Sequence, residues 1–421
     1  MRKNKVIIGH FGKQHSYKLS NSLKKINSLF KYCTTVYLKK GNLTYFVTNI
    51  LDEKNKERGL SRRNDFLDNK EVKQFYEVRG LINLILIRLD KNRKIYTFWS
   101  RNLAKAFEKR VAKYAIKNNV DAVVMYDTNA SICFQILKES RPEIKRILDV
   151  SSASHKYMKS IYLDEMRKNP ERAEILKKEC DYFWEDSFIE YYSKEILLAD
   201  YLIVPSNFAK ESMIYEGVDP KNIYVCPYGV DTEKFKNTIN MSGKSNDIIK
   251  LVYVGNVTQR KGIEYLLKAI EKFDKKKVSL TIVGRYDNSE GIFDQYMKDI
   301  KFTGHLTQNE VAKTLNESDV MVFPSLSDAY PLSVLEALGS GLPVICTKNT
   351  GAADIIKDGY NGFVIEAGNQ NEIEEKISWF IKNKNKLNEM SLNARSTALE
   401  NTWEKYNLIS GEIFNKILSE K

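Results

Sequence analysis

The sequence lacks the signatures of a disulfide framework, a metal cage or a membrane span. Its five cysteines, Cys33, Cys133, Cys180, Cys226 and Cys346, are odd in number and scattered, with no C-x-x-C or His/Cys spacing. That pattern excludes a stapled or zinc-built fold and points to a reducing, cytoplasmic setting. The longest apolar run, residues 81–87, falls far short of the roughly 20 residues that cross a bilayer. The basic N-terminus carries too short an apolar run for a signal peptide and no small-residue cleavage site, so a soluble or peripheral protein is expected. No D-x-D pair stands in a metal-binding context, and no RNP, zinc-finger or helix-turn-helix signature is present. Neither a metal nor a nucleic-acid partner is therefore expected.

Acidic residues are scarce at one end only. Residues 1–120 hold 28 Lys/Arg against 9 Asp/Glu, a balance of +19, whereas the other 301 hold 39 against 45, a balance of −6. Such asymmetry points to an anionic partner of the N-terminal half, whether membrane headgroups, a phosphate-linked acceptor or nucleic acid; the alternative is a Lys- and Asn-rich compositional bias spread over solvated faces. Within residues 80–110 a short apolar run is followed by cations interleaved with Ile95, Tyr96, Phe98, Trp99, Leu103 and Phe107. That composition suits a segment lying in a headgroup layer without crossing it. Reversible association with the inner face of an anionic membrane is expected; the alternative is that these aromatic residues pack into the N-terminal core while the cations point to water.

What is present is a chain of 421 residues, 43% hydrophobic and 11% aromatic, enough for two cores. In the first half, residues 5–9, 43–48, 122–126 and 144–150 read as strands, with a helical pattern over 131–140. A long helical pattern covers 158–199 before a short strand at 201–204. The second half is more regular: residues 251–255, 279–284, 300–304, 320–324, 343–347 and 363–365 are apolar runs separated by helix-length segments. The class is α/β, doubly wound. The segment CPYGVDTEKF and the polar residues 236–247 read as the linker. The expected division is 1–230, 231–401, and a C-terminal helix in 402–421 that crosses back to the first domain.

In open parallel sheets ligands sit beyond the carboxyl ends of the strands, and two strand-to-helix turns of the second half stand out there. VGNVTQRKG turns on Gly255 and brings Arg260 and Lys261 to a helix start at Gly262, an arrangement suited to a diphosphate. PSLSDAYPLSVLEALGSGLPVI places Pro331 in a first helical turn and Glu336 roughly 7 Å inside it. From a pyrophosphate at that helix mouth, the Glu336 carboxylate reaches ribose hydroxyls. Asp328 lies on the preceding loop, where capping is the alternative role.

These two turns resemble the donor domain of the family 4 retaining glycosyltransferases, which adopt the GT-B fold of two facing Rossmann-like domains with the active site between them. GNVTQRKG is similar to the family's G-R-L-x-x-x-K-G turn, and PSLSDAYPLSVLEA to its two-glutamate signature. The likeness extends through ADYLIVPSNFAKESM, IYVCPYGVDTEKF, FTGHLTQNEV and TWEKY, over about residues 195–410. It implies that Lys261 neutralises the donor phosphates, that Glu336 binds the ribose, and that Asp328 takes the place of the glutamate beside the sugar. Amides around Tyr330 and Leu332 would hold phosphate and sugar, and Gly304 and His305 would lie against the base. Three positions depart from the pattern: Asn256 replaces a phosphate-binding arginine, whose charge Arg260 would supply, Asp328 is one methylene short, and Pro331 lacks an N–H.

The implied reaction moves a sugar from a nucleoside diphosphate sugar, UDP favoured over GDP, to an acceptor hydroxyl with retention, without metal or other cofactor. Cell-envelope polysaccharide or glycolipid synthesis is the expected setting, with a glycan or lipid-linked acceptor. The first half would supply the acceptor site, from residues 9–13 with His10 and from the loop DVSSASHKY. Asp149 and His155 there are candidates to orient the acceptor hydroxyl; the other possibility is a turn cap and a surface histidine. The alternative function is an inactive nucleotide-sugar-binding regulatory or scaffold subunit, suggested by Asn256 and Asp328.

Overall fold

Short apolar runs alternating with helix-length segments become strands buried on both faces, as a parallel sheet covered by crossover helices requires. The computed structural model describes residues 4–13, 15–180, 184–237, 248–289 and 291–420, and contains two such sheets. The first comprises β1 (Val6–Gly9), β2 (Leu29–Thr34), β3 (Val72–Gln74), β4 (Ala122–Tyr126), β5 (Lys145–Asp149), β6 (Tyr201–Val204) and β7 (Ile223–Val225). Their spatial order is β3-β2-β1-β4-β5-β6-β7, with every pair parallel. Around them run α1 (Ser16–Lys25), α2 (Leu43–Asn49), α3 (Glu53–Leu60), α4 (Glu77–Leu89), α5 (Lys94–Lys117) and α6 (Ser131–Ser140). Then follow α7 (His155–Lys168), α8 (Ala173–Glu179), α9 (Asp186–Leu198) and α10 (Asn207–Tyr215).

The second sheet comprises β8 (Ile249–Val254), β9 (Val278–Val283), β10 (Lys301–Gly304), β11 (Val320–Phe323), β12 (Val344–Thr347) and β13 (Gly362–Ile365), in the order β10-β9-β8-β11-β12-β13, again all parallel. Its helices are α11 (Ile263–Ile270), α12 (Gln308–Asn316), α13 (Leu332–Gly339), α14 (Gln370–Lys382) and α15 (Leu387–Glu400). The last helix, α16 (Trp403–Ser419), returns to the first domain and packs on α1, where Ser410 Oγ donates to Ser22 Oγ at 2.7 Å. The two inter-domain crossings touch at a Val230–Thr402 bridge. A Cβ on Gly229 would lie 2.2 Å from the Thr402 carbonyl carbon, so only glycine lets them pass this closely. The two Rossmann-like sheets form the GT-B arrangement.

Three expectations are corrected. Residues 43–48 are not a strand but the body of α2: the Asn42 side chain accepts from the Tyr45 amide at 2.9 Å and caps a helix, overriding the β-leaning composition. The helical pattern over 158–199 is broken into α7, α8 and α9, with Pro170 opening a new turn where α7 ends. Strands β2, β3 and β7 were not expected: β2 carries a half-buried Lys31, and the other two are three-residue sheet edges. Of the linker segment, residues 238–247 lie outside the described residues.

Strand order reverses between β1 and β4 in one sheet and between β8 and β11 in the other, which opens a crevice at each set of carboxyl ends. Residues 165–179 clasp the second domain. Asn169 Nδ2 donates to Tyr265 Oη at 3.0 Å, Arg172 pairs with Glu264 at 3.0 Å and stacks on the Tyr265 ring, and Tyr265 also donates to Glu165.

Candidate functional site

The crevice between β8 and β11 is built by two turns that nearly touch. After β8 the chain makes a 3-10 turn over Gln259–Lys261 and reverses at Gly262, whose φ of 69° only glycine adopts freely. A Cβ there would lie 1.9 Å from the Pro324 carbonyl oxygen, so this glycine lets the β8 turn seat against the β11 turn. The contact places Lys261 beside Asp328: the two form an ion pair, and the ammonium also lies 5.6 Å from the Phe323 ring centroid. The cation expected on the phosphates is thus paired with the carboxylate expected beside the sugar.

Pro331 is the N-cap residue of α13, one position before the helical turn expected for it. The Tyr330 amide donates to Asp328 Oδ1 at 3.2 Å, and the Tyr330 hydroxyl donates to the Tyr228 carbonyl at 3.2 Å. Tyr330 therefore ties this loop to the first domain. Among the described residues, the amides of Leu332 and Ser333 make no hydrogen bond, and they open the helix mouth to an anion. Glu336, one turn further in, accepts no hydrogen bond among the described residues, and burial pushes its carboxyl up to about 7, with Lys234 acting in the opposite direction.

From Glu336 a polar band leads to the sheet edge. Lys234 Nζ donates to Gln308 Oε1 at 2.8 Å at the start of α12, and exposed His305 follows Gly304 at the end of β10. Three strand spacings separate β10 from β11, roughly 14 Å, a span suited to a base at one end and a diphosphate at the other. Asn256 is exposed beside Gly255 at the end of β8, and its carbonyl accepts from Tyr253 Oη at 2.7 Å. The Arg260 amide at 2.9 Å and the Gln259 amide at 2.7 Å both donate to the Glu179 carboxylate of α8. Sequence reasoning missed Glu179 and Lys234. Lys234 sits in the GVDTEKF segment, which could have flagged it, whereas nothing near Glu179 marks its destination.

On the facing domain, Asp149 at the end of β5 is buried and accepts from His15 Nε2 at 3.0 Å, with the tilted Tyr228 ring packed on the same imidazole at 4.5 Å. Burial works against protonation of His15, but Asp149 and then Asp127 outweigh it and raise its pKa above the usual value. Asp127 in turn accepts from the Ser151 and Ser152 hydroxyls, each at 3.0 Å. His10 stacks edge-on against Tyr126 at 4.6 Å, and its Nδ1 accepts from the Gly12 amide at 2.8 Å. His155 opens α7 and packs against Tyr192 at 3.9 Å and Phe188 at 5.3 Å, where burial lowers its pKa to about 4 and keeps it neutral. The structure thus brings Asp149 together with His15, which the sequence did not single out, and sets His155 behind an aromatic wall.

The Glu336 environment fixes the expected pH dependence of ligand binding. Hydroxyls donating to this carboxylate favour its charged form, so binding releases a proton from a group that titrates near 7. Affinity for a ribose-bearing ligand should rise with pH through about 7 and level off above it. Calorimetric titrations of nucleotide across that range check this, and a flat profile would dissociate Glu336 from the ligand.

Residues 234–397 match the family described as glycosyl transferases group 1. The chain is 32% identical, over 46% of its length and 54% of the relative's, to UDP-Gal:alpha-D-GlcNAc-diphosphoundecaprenol alpha-1,3-galactosyltransferase of Escherichia coli. It is 26% identical to an uncharacterised glycosyltransferase of Methanocaldococcus jannaschii, over 58% of this chain and 64% of that one. The chain therefore spans between about half and two thirds of these curated relatives. Among solved structures, Alr3699/HepE of Anabaena in complex with UDP superposes with a TM-score of 0.62 at 14% identity, over 99% of this chain and all of that one.

Proposed function

We propose, from a donor-side domain that belongs to the group 1, family 4-like glycosyltransferases, that this chain transfers a sugar from a nucleoside diphosphate sugar to an acceptor hydroxyl in cell-envelope polysaccharide or glycolipid synthesis. The observation that carries this reading is the half-buried Glu336 carboxylate, which accepts no hydrogen bond among the described residues, one turn behind the open amides of α13, with Lys261 across the crevice. UDP is favoured as the donor nucleotide, since the Escherichia coli relative is described by a UDP-sugar and the Anabaena structure holds UDP.

Charge grows on the leaving diphosphate in the transition state, and groups aimed at it in advance do the most to lower the barrier. Lys261 and the Leu332 and Ser333 amides fill that role, and Arg260 adds positive charge at the β8 turn. Asp328, released from Lys261 when the diphosphate takes that cation, is free to accept from sugar hydroxyls. Transfer proceeds on one face of the sugar with retention, and the leaving phosphate accepts the acceptor proton. Protein cations act where a metal otherwise would. Asp149 orients His15 on the facing wall of the crevice. The enzyme works on the inner face of an anionic membrane, a reading supported by exposed Phe46, Ile50, Ile85, Leu89, Ile95 and Phe98 among the N-terminal cations.

The purified chain, incubated in excess EDTA with a panel of nucleotide sugars and envelope lipid extract, should give glycosylated product by mass spectrometry with the anomeric configuration retained. Activity lost in EDTA and restored by magnesium or manganese would overturn the cation-only phosphate site. A second reading, an inactive nucleotide-sugar-binding subunit, is favoured by Asn256 and Asp328. Nucleotide binding without transfer or donor hydrolysis on any acceptor would establish it.

A further inference from the structure

We infer that the groove between α5 and α9 seats a phosphate-bearing lipid acceptor, with the phosphate on Arg101 and Lys105 and the lipid running out past Ile95 and Phe98. The inference rests on the transferase reading above and supplies its acceptor class.

A cavity of about 500 Å³ opens at the carboxyl ends of β1 and β4, the switch point of the first sheet, and is walled by Phe11, Tyr96, Phe188 and Tyr191. Aromatic walls with polar edges suit a sugar ring. Outside it lies a second, open cavity of about 810 Å³ that shares Arg101, Lys105 and Glu185 with the first and adds Arg93 and Lys94. The two form one groove, aromatic toward the crevice and cationic at its outer end. Among the described residues, none of these four cations pairs with a carboxylate within 4.0 Å, so the basin holds positive charge awaiting an anion. At its rim Ile95 is 63% exposed and Phe98 72% exposed, apolar side chains that water does not favour unless something covers them. Cations beside such side chains complement an amphiphile with an anionic headgroup.

The inner end shows a second sign of a built site. Thr128, which lines the cavity, has φ of 77°, a left-handed conformation costly for a β-branched residue. Glu195 holds it there by accepting from its amide at 2.5 Å and from the Ala130 amide at 3.2 Å. Glu108, beneath the same loop, accepts from the Ile132 and Cys133 amides at 2.7 and 3.2 Å. Two buried carboxylates are thus spent on fixing one loop at the cavity floor, and His155 backs its Phe188–Tyr192 wall.

Farnesyl diphosphate serves as a soluble probe, titrated into the full chain with the donor crevice filled by excess UDP, and inorganic pyrophosphate as the headgroup-only control. Farnesyl diphosphate should bind, pyrophosphate should bind far more weakly, and Arg101→Ala with Lys105→Ala should weaken farnesyl diphosphate by about thirtyfold. Phe98→Ser should weaken farnesyl diphosphate and leave pyrophosphate unchanged. Unaltered UDP affinity in the variants shows that they fold. Equal binding of the two probes, or farnesyl diphosphate affinity unmoved in the double variant, overturns the inference. So does a double variant that loses only its binding to vesicles of equal parts phosphatidylglycerol and phosphatidylcholine, since the groove would then read bulk headgroups. Failure of UDP itself to bind would count against the donor site, and the probe titration, run without nucleotide, would still decide the groove.

Discussion

Glu336→Gln is expected to weaken donor binding by about 2–4 kcal/mol while making the protein more stable above pH 7. The two effects have one origin. Glu336 lies half-buried with no hydrogen-bond partner among the described residues, and burial pushes its carboxyl up to about 7. The folded value stands above that of an unfolded glutamate, about 4.3. The folded protein therefore binds the proton more tightly, and its stability falls as pH rises between those two values. Glutamine removes that penalty, about 4 kcal/mol above pH 7 and nothing below about 4. A bound ribose reverses the balance, because its hydroxyls donate to a carboxylate and an amide cannot accept both equally. Thermal melts and nucleotide titrations of the same variant measure the two signs. Near-normal donor affinity would remove Glu336 from the donor site, whatever the melting point did.

Lys261→Ala should lower turnover by about 100- to 1000-fold, with a smaller loss of ground-state donor affinity, since the charge it meets grows toward the transition state. The ion pair with Asp328 sharpens the expectation. Without the ammonium, Asp328 is left as a half-buried anion facing the diphosphate, so part of the loss is repulsion. Adding Asp328→Asn to Lys261→Ala should therefore recover nucleotide affinity without recovering turnover. Steady-state kinetics with nucleotide titrations separate the two quantities. Kinetics unchanged in the single variant would assign the phosphates to Arg260 or another cation.

The second half was legible because its central strands β8, β11 and β12 are buried almost throughout and read as apolar runs, bounded by turns that carry Gly255, Gly262 and Pro331. All six runs expected there correspond to strands β8 to β13. The first half hid more. In α2, one capping asparagine outweighed a run of Leu, Tyr, Phe and Val that suits a strand equally well. The short β3 and β7 sit at sheet edges, where alternation has too few residues to show. Candidate site residues could be named where local chemistry marks them, as in the turns holding Lys261, Asp328 and Glu336, which the structure gathers at one crevice. They were missed where only tertiary structure brings them in: His15 reaches Asp149 across 134 positions, and Glu179 meets Arg260 across 81. No spacing rule connects such pairs. His155 illustrates the converse, a chemically suggestive residue whose neighbours turned out to be the aromatic rings of α9.

The return of α16 to α1 means that the part of the molecule synthesised first is the last to be completed. Tyr406, Phe414 and Ile417 are fully buried or nearly so, and Ser22 donates to the Asn407 carbonyl at 2.8 Å, so one wall of the first domain is supplied by the 17 residues of α16. While the chain is still on the ribosome, α1 presents an uncovered apolar face, whereas every strand of the second domain has already emerged. A chain ended at residue 401 should show this state permanently, binding a hydrophobic dye through its first domain while the second still takes up nucleotide. The order of folding would then run against the order of synthesis, with the second domain maturing ahead of the first domain that precedes it.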